Sequence, residues 1–274
     1  MFIAEITFAS SRSKTTNRES LRDVAEEYLA CLLRNGQIYG EYLIAWSNAQ
    51  LVCFTYLARP NSIQKQYHSK WGLTALKKVL EEFGENPGVQ MIEENIPRSF
   101  SPWRRSSTLY LFTHALHVGS PVHCGDSGSA VPVYELPISD QDREELFSWA
   151  GLYGYLDNIW LESDVLEIPA YKQLVDPRSK VSDAGRKLCR RIEAATGKPT
   201  FYYLTRYWGR RIGEASRVCP LCGGKWHEAN SREKGDRFYN FHFRCKRCRL
   251  VSRRADTDDD ERRARYGEYR HHAT

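Results

Sequence analysis

Four cysteines in the C-terminal third stand in two matched pairs, Cys219-Pro-Leu-Cys222-Gly-Gly and Cys245-Lys-Arg-Cys248, with 22 residues between them. A C-x-x-C turn brings two sulfurs to one ion, and four thiolates at about 2.3 Å close a tetrahedron around zinc with no position left open for substrate. The spacing therefore predicts one structural Zn2+ held by Cys219, Cys222, Cys245 and Cys248. Gly223 follows the first pair, where a positive φ costs glycine little. Either pair alone would also suit a redox dithiol; both together point to a metal. Ahead of the second pair the residues alternate, with Tyr239, Phe241 and Phe243 on the face of Cys245 and Asn240, His242 and Arg244 on the other.

The charge is as uneven as the cysteines. Residues 178–254 hold 21 Lys/Arg against 6 Asp/Glu, a net of +15, whereas residues 1–177 hold 15 against 22, a net of −7. A segment so basic calls for an anionic partner, and a zinc tetrathiolate, itself −2, offsets only a few of the charges. A helix over 183–196 sets Arg186, Lys187, Arg190 and Arg191 as two i,i+4 pairs in one stripe. The following strand and loop interleave aromatics with Arg206, Tyr207, Arg210 and Arg211, and the second cysteine turn adds Lys246 and Arg247. Cations neutralise phosphates and aromatics stack on unpaired bases, so these ten residues are the candidate nucleic-acid surface. The competing reading packs the aromatics in a core and leaves the cations as a solvated face.

Other chemistry-bearing residues carry less. His114, His117, His123 and Cys124 lie close together without a four-ligand spacing and read as buried or turn residues, with a second metal site as the alternative. Gly125-Asp126-Ser127-Gly128 is like the nucleophile loop of trypsin-like proteases, but no His and Asp partners stand in order around it. Cys31, Cys53 and Cys189 fall on apolar faces and read as core. There is neither a phosphate-cradling glycine loop nor a recognisable acid pair, so no catalytic constellation is expected.

The elements that must position these residues follow from periodicity. Residues 2–9 alternate as a strand, 19–34 form an amphipathic helix ended by Asn35-Gly36, 38–46 and 51–58 form a hairpin, 62–83 a second helix and 88–93 a short strand. That order, βαββαβ, is the ferredoxin-like plan. The fold expected is α+β, in four parts: a ferredoxin-like domain over 1–96, a mixed middle region over 97–214 with a basic C-terminal part, a zinc ribbon over 215–254, and a disordered charged tail over 255–274. In the middle region, residues 97–107 read as a loop, 108–118 as a strand, 140–157 and 162–175 as helices, Ser182 and Asp183 as the opening of the next helix, and 200–205 as a strand. Eight cysteines in 274 residues are too sparse for a disulfide scaffold, and no apolar run approaches the roughly 20 residues that span a bilayer. The N-terminus, with Glu5 inside a short apolar stretch, does not read as an export signal, so a cytoplasmic location is expected and a membrane partner is not.

The segments VHCGDSGSAVPVYELP (122–137), SDAGRKLC (182–189), PTFYYLTRYWGRR (199–211), CPLCGGKW (219–226) and FRCKRCRLVS (243–252) resemble a family of uncharacterised bacterial proteins, the zinc-ribbon-containing domain of unknown function 2310. The resemblance covers most of the chain, and it implies zinc and nucleic-acid binding but no established activity. In that family another metal-type ligand often follows the cysteine matching Cys124; here Gly125-Asp126-Ser127 stands there. The function expected is a non-enzymatic zinc-ribbon protein binding RNA or DNA through 178–254. The alternative is a protein-interaction module, an adaptor or immunity-type protein, whose ribbon is purely structural.

Overall fold

The computed structural model describes residues 1–9, 17–93, 100–228 and 241–269, and divides the chain into two compact units. The first comprises Met1–Trp103, Val118–Ser120 and Ser129–Phe147; the second comprises the remainder. Among the described residues no helix is long and apolar enough to cross a membrane.

In the first unit the sequence alternation of β1 (Phe2–Ala9) becomes a buried row of Ala4, Ile6 and Phe8. The hairpin β2 (Ile38–Ser47) and β3 (Gln50–Leu57) and the edge strand β4 (Gly88–Glu93) complete an antiparallel sheet in the order β2-β3-β1-β4. Helices α1 (Arg18–Arg34) and α2 (Lys70–Phe83) lay Leu21, Ala25, Tyr28 and Leu29, and Ala75, Val79 and Phe83, into one core with that row. The order and pairing are those of the ferredoxin-like plan. The second helix starts later than its periodicity suggests, because Ser69 caps it by accepting from Gly72 N at 3.2 Å, and a 3-10 turn occupies Lys65–Tyr67.

The second unit is built on a five-stranded sheet in the order β6-β5-β7-β9-β8, from β5 (Leu109–Leu111), β6 (Val122–Cys124), β7 (Thr200–Tyr203), β8 (Phe243–Cys245) and β9 (Leu250–Ser252). Its strand β7 pairs in parallel with both β5 and β9. The expected strand over 108–118 is thus only three residues long, and the expected loop over 97–107 is described from residue 100 onward. Helices α3 (Asp140–Glu162), α4 (Glu167–Val175) and α5 (Lys180–Thr196) follow the expected order with shifted ends. The cap of α5 is Ser179, accepting from Ser182 N at 3.1 Å, and not Ser182 itself. Gly185 on α5 lets the helix lie against the sheet, since a Cβ there would stand 2.4 Å from the Tyr202 ring and 2.9 Å from Trp149 Nε1.

The ribbon's strand β9 is hydrogen-bonded into the sheet beside β7. One expectation about organisation is corrected. Residues 255–269 are not a disordered tail. Thr257 bridges to Trp208, Ala264 is fully buried with Tyr171, Val175 and Trp208, and a 3-10 turn spans Arg263–Arg265. The tail offers few apolar residues, but Ala264 and Tyr266 fill a core site and its carbonyls accept from a buried arginine. Residues 270–274 lie outside the described residues.

Candidate metal centre and the basic surface around it

The two cysteine turns are near copies of each other. In the first, Gly223 N donates to Cys219 O at 2.9 Å, Cys219 N donates to Gly224 O at 2.8 Å, and Val218 bridges to Lys225. In the second, carried by the β8–β9 hairpin, Cys248 N donates to Cys245 Sγ at 3.4 Å. Each turn ends on a left-handed residue, Gly223 at φ 69° and Arg249 at φ 51°. Arginine at such a position is strained, and the side chain shows what offsets it. Its guanidinium forks Glu193 of α5, with Nη2–Oε1 at 2.7 Å and Nε–Oε2 at 2.9 Å, and donates to Lys246 O at 2.9 Å. It also lies 5.6 Å from the centroid of Phe201. The first turn is held by Arg178, which donates to Pro220 O at 2.7 Å.

These anchors bring the four sulfurs together: the Sγ atoms of Cys219, Cys222, Cys245 and Cys248 all lie within 4.8 Å of one another, and Cys222 and Cys245 are 3.7 Å apart. A tetrahedron of sulfurs at about 2.3 Å from a central ion has edges of about 3.8 Å. The donor set therefore fits one metal ion. Burial pushes the Cys219 thiol up to about 12, with neighbouring thiolate charge adding to it, and raises Cys248 as well. Burial also opposes ionisation of Cys222, but hydrogen bonds from Gly224 N–H and the adjoining thiols outweigh it and bring Cys222 down to about 7. Four thiolates this close repel one another until a cation sits between them. Phe241, Phe243 and Cys245 are buried while His242 and Arg244 are half-buried, as the alternation implies; Tyr239 and Asn240 lie outside the described residues.

The ten candidate binding residues are not one surface. Lys246 and Arg247 are exposed at the tip of the second turn, and Lys187, Arg190 and Arg191 are exposed on α5, which the Glu193–Arg249 fork ties to that turn. Arg186 is half-buried on Asp183 at 2.9 Å, and Lys187 reaches the same carboxylate at 2.8 Å. Arg206 faces inward instead. It is 5% exposed and donates to Ala264 O at 2.7 Å. Arg210 pairs with Glu268, with Nε–Oε1 at 2.9 Å, and the backbone N–H of exposed Arg211 donates to Glu261 at 3.2 Å. Tyr207 is partly exposed but packs on Trp160 and Trp208. Arg206 and Arg210 thus serve the folded tail, a role hidden in the sequence because their acceptors lie more than 50 residues further along.

Among the described residues, the four cysteines are the one group of three or more His, Cys, Asp or Glu whose ligand atoms gather closely enough to hold a metal ion. His123 is buried with its ring nitrogens 3.2 Å from Phe112 O and 3.3 Å from Gly128 O. His117 lies between it and His114, tilted against the first ring and edge-on to the second, with ring centroids 5.4 and 5.3 Å away. Asp126 accepts from Ser107 N at 2.6 Å and also from the Ser107 hydroxyl, so it fixes the loop.

Three domains of unknown function match the chain in succession: DUF8589 over residues 1–93, DUF2310 over 104–205 and DUF8594 over 209–256. Two proteins of Haemophilus influenzae (strain ATCC 51907 / DSM 11121 / KW20 / Rd), both described only as uncharacterized, are each 36% identical over 144 residues, 52% of this chain. The match spans 68% of one relative and about half, 53%, of the other. A crystal structure of an antibiotic biosynthesis monooxygenase aligns with 35% of this chain and all of its own, at 9% identity and a TM-score of 0.26, too slight a likeness to bear on fold or activity.

Proposed function

This chain belongs to one family with the uncharacterized Haemophilus influenzae protein that it matches over 68% of its length, and from that premise we propose a non-enzymatic, cytoplasmic zinc-ribbon protein that binds nucleic acid. The observation that carries the metal half is the set of four sulfurs within 4.8 Å. Zinc fits this set because tetrathiolate donors select a soft, tetrahedral ion and all four positions are taken by protein. Its task is structural: bound zinc joins the first cysteine turn to the hairpin that completes the sheet.

The nucleic-acid half rests on Lys187, Arg190 and Arg191 of α5 and Lys246 and Arg247 of the second turn, joined through Glu193–Arg249. Arg206 and Arg210 drop out of this surface, which now depends on phosphate contacts more than on base stacking. The test is binding of the full chain to a labelled single-stranded oligonucleotide, DNA or RNA, as salt is varied. Each phosphate contact contributes a logarithmic slope of about −0.7 on single strands. The triple change Arg190→Ala, Lys246→Ala, Arg247→Ala flattens the slope by about 2 if each residue meets one phosphate. Absence of binding at low salt, with zinc and fold intact, rejects this half and leaves the zinc half standing.

A further inference from the structure

An open cleft of about 560 Å³ in the second unit is walled by Trp160, Tyr207 and Trp208 and rimmed by Glu167, Asp259 and Asp260. The three rings stand nearly perpendicular to one another: Trp160 and Tyr207 at 67° and 5.3 Å, Trp160 and Trp208 at 72° and 6.3 Å, Tyr207 and Trp208 at 87° and 5.0 Å. Each contact sets a ring edge against a ring face, and a π face left open to the cleft attracts a cation. One cation is already in place. The guanidinium of Arg263 lies 4.5 Å from the Trp208 ring centroid, with Nη1 2.8 Å from Glu167 Oε1 and Nε 3.1 Å from Asp260 Oδ2. It meets two of the three carboxylates. Asp259 is exposed and makes no ion pair among the described residues, so the cleft keeps an excess of negative charge beside the Trp160 and Tyr207 faces. Phosphate is repelled here, whereas a planar cation finds the same combination of ring face and carboxylate that holds Arg263.

We propose that this cleft binds an arginine side chain of a partner polypeptide, its guanidinium stacked on Tyr207 and Trp160 and paired with Asp259 beside the intramolecular Arg263. Guanidinium is preferred to ammonium because the walls are faces and edges that a flat, weakly hydrated group fills, whereas an ammonium is a compact, strongly hydrated charge. The cleft shares no lining residue with the proposed nucleic-acid interface and does not depend on it.

The test follows the indole N–H signals of the full-length, zinc-loaded protein by two-dimensional NMR, with Trp160 assigned through Trp160→Phe. The probes are a short neutral-backbone peptide bearing one arginine, its lysine counterpart, and spermidine. The arginine peptide is expected to shift the Trp160 signal saturably and more tightly than the other two. Asp259→Asn and Tyr207→Ala should each weaken it by about two- to fivefold, the range for an exposed ion pair or ring–cation contact, while Tyr207→Phe retains it. Asp259→Asn alters an exposed side chain and leaves the packing alone, so the outcome does not depend on Tyr207→Ala folding. No saturable shift, equal responses to all three cations, or indifference to Asp259→Asn each overturns the proposal.

Discussion

Replacing Arg206 by Met separates a buried structural cation from a binding one. The residue is 5% exposed, its guanidinium donating through Nη1 to Ala264 O at 2.7 Å and through Nη2 towards Tyr266 O at 3.4 Å. Burial, with repulsion from Arg217 added, pulls its pKa down to about 9, so the fold tolerates this charge only because acceptors surround it. Methionine fills most of the volume but leaves both carbonyls without their donor. Each unsatisfied buried group costs about 1–3 kcal/mol, partly offset by relief of the Arg206–Arg217 repulsion, so a net loss of about 3 kcal/mol is expected. For a folding unit of this size that lowers Tm by roughly 6–12 °C. Thermal unfolding measures the loss. Oligonucleotide binding across salt, measured on the folded variant, should give the wild-type slope. A variant as stable as wild type with a slope flattened by about 0.7 would place Arg206 on phosphate and refute the buried assignment.

At the second cysteine turn, Arg249→Ala keeps the left-handed strain that wild type already carries and loses the half-exposed fork to Glu193, the bond to Lys246 O and the Phe201 contact, at a cost of about 1 kcal/mol, whereas Arg249→Gly loses the same contacts but relieves about 1–2 kcal/mol of strain and is expected to be the more stable of the two. Equal denaturation midpoints for the two variants would contradict the strain. Acid should act through His123, whose pKa burial, aided by His117, lowers to about 3 from an unfolded value near 6.5. Between these pH values the unfolded chain binds a proton that the folded one refuses, so stability falls as pH drops from about 6.5 towards 3. His123→Gln should show a shallower fall than wild type in urea midpoints over that window, and parallel curves would dismiss the effect.

The sequence announces the first unit and the cysteine site because each is written in local pattern. FIAEITFA alternates with period two, α1 and α2 repeat apolar residues at helical spacing, and C-x-x-C is legible at a glance. The second sheet has little such signature, since β5 and β9 are three residues each, too short to show a period, and only the run into β8 alternates. The charged tail hides its docking for a related reason. Ala264 and Tyr266 do not make an apolar run, and much of the attachment is polar, Arg206 to Ala264 O, Arg210 to Glu268 and Arg263 to Glu167. Such pairs join residues distant in the chain. Composition counted Arg206 and Arg210 as surface charge because charge alone carries no information on burial.

The most direct test of the central claim is elemental analysis of the purified full chain, in wild-type and Cys222→Ser forms. A colourless protein with about one zinc per chain is expected, with loss of that zinc in Cys222→Ser. A folded wild-type protein without metal, with iron in place of zinc, or with two zinc ions per chain would contradict it.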